Sequence, residues 1–185
     1  IVFDRKATGQ SALDCTLAGV QAVLKRGEVN PKKMGLIGHS FGGYEANYIA
    51  TQTDLFATVV SGAGVVDLPS FYLNMNWRTG LPDMWRMEFH QWRMGCSLFE
   101  DRNAYALNSP LHFVESIKSP LLLWSGKNDL HVDWQQNVMF YLAMRRLKKP
   151  ATLLLYPNEY HALEELPNRA DLRQRMEEWF AHYLK

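Results

Sequence analysis

Met34-Gly35-Leu36-Ile37-Gly38-His39-Ser40-Phe41-Gly42-Gly43-Tyr44 joins two local patterns with a sharp break between them. Met34–Gly38 is a short apolar run, the pattern of a strand buried on both faces of a parallel sheet. Gly42–Gln52 reads as a helix. Between them lies G-x-S-x-G, with Ser40 at the apex of a strand-to-helix turn. Gly38 and Gly42 are expected to flank it because side chains there would collide across the turn. An unactivated serine hydroxyl is a weak nucleophile and needs a fixed, exposed position and an adjacent base. The turn supplies the position. The helix that follows aims its first N–H groups back at the serine, so the N–H of Phe41 is a candidate oxyanion donor.

Working outward, Ala12, Leu13, Leu17, Val20, Val23 and Leu24 recur at helical spacing, and Gly27 ends that helix. Asn30–Lys33 is a turn. Ile1–Phe3 reads as the end of a strand. Ala57–Val60 predicts a second buried strand leading into Ser61-Gly62-Ala63-Gly64. From Asp67 to Ser119 there is no clean period, which predicts short helices and loops over one end of the sheet. Pro120–Ser125 and Ala151–Tyr156 predict two further strands. Asp133–Leu147 and Ala170–Leu184 predict helices, the last carrying Leu172, Met176, Trp179, Phe180 and Tyr183. Strands alternating with helices imply a mainly parallel sheet covered on both faces, an α/β fold in three layers. No linker, repeat or low-complexity segment divides residues 1–185, which read as one domain.

In such sheets function collects at the carboxyl ends of strands. Asp129 follows the Leu121–Ser125 run on a loop opened by Gly126, and is expected to orient a histidine. Asp133 is the competing carboxylate, and reads better as the N-cap of the next helix. His161 follows the Thr152–Tyr156 run and is the expected base. His90 and His112 fall in the irregular segment, His182 on the last helix, and His131 too early. His39 reads as a packed histidine pointing away from Ser40. Ser40, Asp129 and His161 thus occur in the chain order of an α/β-hydrolase triad, each after its own strand.

Other chemistries find little support. Lysine plus arginine number 20 against 19 acidic residues, for a net charge of +1 with no basic stripe that would suit nucleic acid. No run reaches the roughly 18 apolar residues of a membrane helix. Two distant cysteines, Cys15 and Cys96, make neither a disulfide framework nor a zinc site, and are expected to be buried thiols. Gly62-Ala63-Gly64 lacks the spacing of a phosphate-binding loop. No metal or cofactor is expected. The aromatic content is 12%, with six tryptophans, most of them read as core residues. The chain opens on Ile1, with no secretory pattern, and reads as a processed chain or an excised piece.

Several segments together resemble the catalytic domain of the prolyl oligopeptidase family of serine peptidases, which includes dipeptidyl and acylaminoacyl peptidases. Val29–Tyr44 resembles the family's vDpkrigl-GhSyGGy segment. Asn108-Ser109-Pro110 resembles its nSP motif, Gly126–Val132 its GxxDxxV, and Tyr156–His161 its yp-x-e-x-H. The resemblance covers nearly the whole chain and places the acid on Asp129 and the base on His161. It implies hydrolysis of peptides beside a small or proline-like residue. It also implies that Phe41 lines the primary pocket and that His131, two after the acid, touches substrate. Phe71, Tyr72 and Trp77 are further pocket candidates.

The family's catalytic domain has a longer amino-terminal half and usually a β-propeller before it. One oxyanion donor, and the acidic residues that hold a substrate amine, belong to that half. The resemblance therefore implies a fragment lacking the amino-terminal strands. In it the edge of the Met34–Gly38 strand would be free to pair with another chain, as in a homo-oligomer. A carboxylesterase on the same fold, and a non-catalytic hydrolase-fold module used for binding, are the alternative functions.

Overall fold

The computed structural model describes residues 5–185; the Ile1–Phe3 strand end lies outside them. In chain order the elements are α1 (Thr8–Leu24), β1 (Gly35–His39), α2 (Phe41–Gln52), β2 (Thr58–Gly62), α3 (Leu68–Tyr72), β3 (Met75–Asn76), β4 (Leu81–Pro82) and α4 (Met84–Glu88). They continue with α5 (Arg102–Leu107), a 3-10 helix (Pro110–Ser116), β5 (Leu121–Gly126), α6 (Gln135–Arg146), β6 (Ala151–Tyr156) and α7 (Leu166–Tyr183).

β1, β2, β5 and β6 form a four-stranded parallel sheet in that order. Gly38 pairs with Ser61, Gly62 with Trp124 and Gly126 with Tyr156, so the carboxyl ends of all four strands reach one rim. Side chains alternate across the sheet, which sorts the core. Val59, Leu121, Leu123 and Leu153 face α1, α2 and α6, where Leu13, Ile49, Phe140 and Met144 are buried. Val60, Leu122, Trp124 and Leu154 face α7, meeting Leu172, Met176, Trp179 and Phe180. The Trp179 indole N–H donates to Thr58 Oγ1 across 2.6 Å and pins α7 to the middle of the sheet. The expected three layers are present.

The segment from Leu68 to Leu107 caps the strand rim. The core beneath it packs Leu68, Phe71, Tyr72, Met87, Trp92, Met94 and Tyr105 around Tyr44 of α2. It contains short helices, as expected, and also the β3–β4 hairpin, whose two-residue strands are too short to leave a period in the sequence.

The structure corrects several expectations in detail. α1 begins at Thr8, four residues before the apolar stripe. The Thr8 hydroxyl donates to the Trp92 carbonyl and the Gly9 N–H to Asn108 Oδ1, tertiary bonds that hold this polar first turn. α7 begins at Leu166, with Pro167 in its first turn, where a missing N–H is harmless. Asp133 precedes α6 as expected, and its Oδ1 accepts the Gln135 N–H, with Trp134 standing as the N-cap. Cys15 is exposed rather than buried, because it faces away from the Leu13 and Leu17 side of α1 that meets the core; Cys96 is partly buried and both are free thiols. Among the described residues β1 pairs only with β2, and Ile37 on it is 58% exposed.

Candidate active site

Ser40 sits between β1 and α2 at φ 58°, ψ −121°, outside the regions a non-glycine residue ordinarily adopts. Such strain amounts to about 1–3 kcal/mol and persists only where the surroundings enforce it. Here they do: the Ser40 N–H donates to Gly62 O across 2.8 Å, and Ser40 O accepts the Tyr44 N–H at 3.0 Å. A Cβ on Gly38 would stand 1.9 Å from Gly42 O, so only glycine fits there. Gly42, by contrast, faces open space. The second forced glycine is Gly43, whose Cβ would lie 2.5 Å from Gly62 O, where α2 rests on β2. The expected collision at Gly42 is thus one residue further on.

The strand rim brings Ser40, His161 and Asp129 together. Ser40 Oγ lies 2.7 Å from His161 Nε2, and His161 Nδ1 lies 2.7 Å from Asp129 Oδ2. The carboxylate can only accept, so Nδ1 carries a proton and Nε2 of the neutral ring is left to accept from the Ser40 hydroxyl. Asp129 Oδ1 accepts the N–H groups of His131 at 2.8 Å and Val132 at 3.0 Å, so both carboxylate oxygens are engaged. The Asp129 side chain is fully buried and that of His161 is 20% exposed.

The loops carrying these residues are tied to each other. The Asn128 N–H donates to Glu159 O at 2.8 Å and the Lys127 N–H to Tyr156 O at 2.9 Å. Glu159 is itself fully buried. Its carboxylate accepts the N–H groups of Glu164 at 2.6 Å and Glu165 at 3.1 Å, and the Asn168 amide at 2.7 Å. Burial pushes its pKa up, but these three donors outweigh burial and hold it below the ordinary glutamate value. His39 points away from Ser40, as expected. Its ring stacks on Trp124, centroids 5.1 Å apart and 2° from parallel, and its Nε2–H donates to the His161 carbonyl at 2.7 Å. Burial pulls the His39 pKa below the usual histidine value. Nothing in the sequence outside the Tyr156–His161 motif hints at Glu159, and the His39 bond spans 122 positions.

The Phe41 N–H opens α2 beside Ser40 and makes no hydrogen bond among the described residues, as expected for the first donor of a helix. The Phe41 ring is partly buried, 5.0 Å from Trp92 in an edge-on contact. His131 and His161, with ring centroids 5.0 Å apart, share the wall of a cavity of about 440 Å³ with Arg78 and Tyr160. Burial, then the nearby His161, draws the His131 pKa down. Trp77 is 69% exposed at the tip of the β3–β4 hairpin and borders a smaller hollow beside Asp129. Phe71 and Tyr72 lie in the cap core, not on the wall of the larger cavity; the Tyr72 hydroxyl donates to Glu88 at 2.6 Å. Among the described residues no group of three His, Cys, Asp or Glu side chains is placed to hold a metal ion. Nor is any helix among them long and apolar enough to cross a membrane.

Comparison with known proteins matches the sequence and the fold to a family. The chain is 26% identical over 180 residues to the uncharacterized peptidase YuxL of Bacillus subtilis, covering 95% of this chain and 26% of that protein. It is 28% identical over 182 residues to dipeptidyl-peptidase 5 of Porphyromonas endodontalis, covering 96% and 25%. The fold superposes on a puromycin-hydrolyzing peptidase of Mycobacterium tuberculosis with a TM-score of 0.86 and 26% identity, over 97% of this chain and 26% of that one. The chain thus spans about a quarter of the length of each of these relatives. The family profile described as the prolyl oligopeptidase family matches residues 4–185, and the chain belongs to that family.

Proposed function

We propose that this chain carries the reaction centre of a serine peptidase of the prolyl oligopeptidase type, within one catalytic domain, with Ser40 as nucleophile, His161 as general base and acid, and Asp129 as its orienting carboxylate. The observation that carries the reading is the unbroken chain of two 2.7 Å hydrogen bonds from Ser40 to His161 to Asp129. His161 Nε2 takes the hydroxyl proton as Ser40 Oγ attacks the scissile carbonyl carbon. The carbonyl oxygen becomes an oxyanion facing the Phe41 N–H, a donor of a kind worth about 10²–10³-fold in kcat. The imidazolium, stabilised by Asp129, then gives its proton to the leaving amine nitrogen, and the tetrahedral intermediate collapses to an acyl-enzyme. A water deprotonated by His161 attacks the ester carbonyl; Ser40 leaves with the proton and the carboxylic acid product departs.

Substrate is read as a peptide. His131 sits beside His161 on the cavity wall, where it is read as a substrate contact, and Phe41 stands next to Ser40 to meet the side chain flanking the scissile bond. Phe71 and Tyr72 support the cap from behind, and Trp77 borders the rim. The edge of β1 is the surface on which a second copy would pair.

A fluorophosphonate probe tests the centre. Labelling confined to Ser40, and lost in Ser40→Ala, is the expected result. An unlabelled protein overturns the reading and leaves a non-catalytic hydrolase-fold module. Alanyl and prolyl peptide amides set against short acyl esters separate peptidase from carboxylesterase, and turnover of the esters alone favours the latter.

A further inference from the structure

The β3–β4 hairpin places Asn76 against the edge of His131. Asn76 Nδ2 lies 3.2 Å from His131 Nδ1. Its own orientation follows from its other partners. Asn76 Oδ1 accepts the N–H of Arg78 at 3.2 Å and of Thr79 at 3.3 Å, closing the hairpin turn. Turned over, the amide would set its NH2 against two N–H donors. The oxygen therefore belongs to the turn and the nitrogen faces His131. An amide nitrogen only donates, so His131 Nδ1 must accept and carry no proton. In the neutral ring the proton is then on Nε2, which has no hydrogen-bond partner among the described residues and lies on the edge of the ring not taken by Asn76.

We infer that Asn76 is a positioning residue: it locks His131 as a neutral Nε2–H donor at the wall of the cavity it shares with His161, ready for an oxygen acceptor on the substrate. The inference deepens the peptidase reading and rests on it only for what the donor is for, since the tautomer is a property of the unliganded protein. Asn76 is 5% exposed and cannot be swung aside without opening the turn. Behind it lies Asp83, fully buried and bonded to Arg86 at 3.0 Å. Burial raises the Asp83 pKa, against which the Arg86 guanidinium and the Asn76 amide pull.

Protonation of His131 would put a proton on Nδ1 facing the Asn76 NH2, donor against donor. The lock therefore opposes charging of the ring, in the same direction as burial and the neighbouring His161, Arg78 and Arg86; Asp129 acts the opposite way. Tyr160 and Glu164 share the cavity, and Asp83 lines a second hollow that His131 borders on the Asn76 side. A substrate oxygen then meets the same hydrogen-bond donor across neutral and mildly acidic pH.

Long-range proton–nitrogen NMR on the 15N-histidine-labelled protein tests this, with the His131 signals identified by their loss in His131→Gln. The expected wild-type pattern is a pyrrole-like Nε2 and a pyridine-like Nδ1. Asn76→Ser keeps a side-chain oxygen for the turn N–H groups and removes the donor to His131. In this variant the two tautomers should mix and the His131 titration midpoint should rise. KM for a peptide substrate should rise about 3- to 10-fold, the worth of one hydrogen bond. A wild-type ring protonated on Nδ1 overturns the inference without any variant, and so does an Asn76→Ser spectrum identical to wild type. Failure of Ser40 to label would overturn the peptidase reading and leave the tautomer result standing.

Discussion

His39 Nε2 donates to the backbone carbonyl of His161 across 2.7 Å, joining the residue before Ser40 to the residue whose Nε2 lies 2.7 Å from Ser40 Oγ. The Ser40 elbow, where β1 turns into α2, and the histidine loop come from strands at opposite edges of the sheet, β1 and β6. This bond and the stack on Trp124 lock one to the other. His39→Phe keeps an aromatic ring on Trp124 and loses the donor. One hydrogen bond is worth about 0.5–1.5 kcal/mol, so kcat should fall roughly 3- to 10-fold with KM little changed. Steady-state kinetics beside a thermal melt would check this. A kcat equal to wild type would make His39 a packing residue only.

Asp129→Asn carries a sharper expectation. Asp129 Oδ1 accepts two backbone N–H groups, from His131 and Val132. An asparagine must keep its oxygen there, which turns its NH2 toward His161 Nδ1. The imidazole then accepts at Nδ1 and carries its proton on Nε2, facing Ser40 with nothing to accept the hydroxyl proton. Holding the wrong tautomer in a triad lowers kcat by about 10⁴-fold. Hydrolysis and the rate of fluorophosphonate labelling should fall together while the melting temperature moves little. Wild-type labelling rates in Asp129→Asn would remove Asp129 from the proposed triad.

Glu159 gives a pH-dependent prediction. Its folded pKa lies below the ordinary value of 4.5 because three donors outweigh burial. A carboxylate depressed in the folded state adds stability that is fully present above the unfolded pKa and is lost as pH falls through the folded one. Glu159→Gln should therefore lower stability most at neutral pH, by about 1–3 kcal/mol. The gap to wild type should narrow below the ordinary value of 4.5. Paired urea titrations at several pH values would show it. A constant gap across the acid range would mean the charge of Glu159 is not what its donors stabilise. Because Glu159 O also accepts the Asn128 N–H, the loosened loop should lower kcat as well.

What was legible in the sequence follows from range. Ser40 announces itself because its constraints are local: a forced glycine two residues before it and a helix directly after. Asp129 and His161 were legible through the apolar runs of β5 and β6, which mark the rim where loops collect. Asn76 was not, because its strand is two residues long and its partner His131 lies 55 positions away. The start of α1 was hidden for the same reason: Gly9 bonds to Asn108, 99 positions on, and no periodicity records that. The exposure of Cys15 went unread because a cysteine packs as a small apolar residue by default, while its place on a helix face decides otherwise.

The glycines after Ser40 separate what a motif suggests from what space requires. The five-residue pattern ends at Gly42, yet a Cβ there meets nothing within 4 Å, while one on Gly43 would stand 2.5 Å from Gly62 O and 3.0 Å from Gly64 Cα. Both obstacles at Gly43 are backbone, and Gly62 O also receives the Ser40 N–H, so neither can retreat without disturbing the elbow. Gly42→Ala lies in the first turn of α2 and should be neutral or stabilising by about 0.4–1 kcal/mol, through a less flexible unfolded chain. Gly43→Ala should destabilise by about 1–3 kcal/mol, as overpacking does. At this chain length that is a fall of roughly 2–12 °C in melting temperature. Its Ser40 should also label more slowly, since pushing Gly62 O away releases the N–H that holds the strained turn. Equal melting temperatures for the two variants would mean that α2 can slide on β2, and that the strain at Ser40 is held from elsewhere.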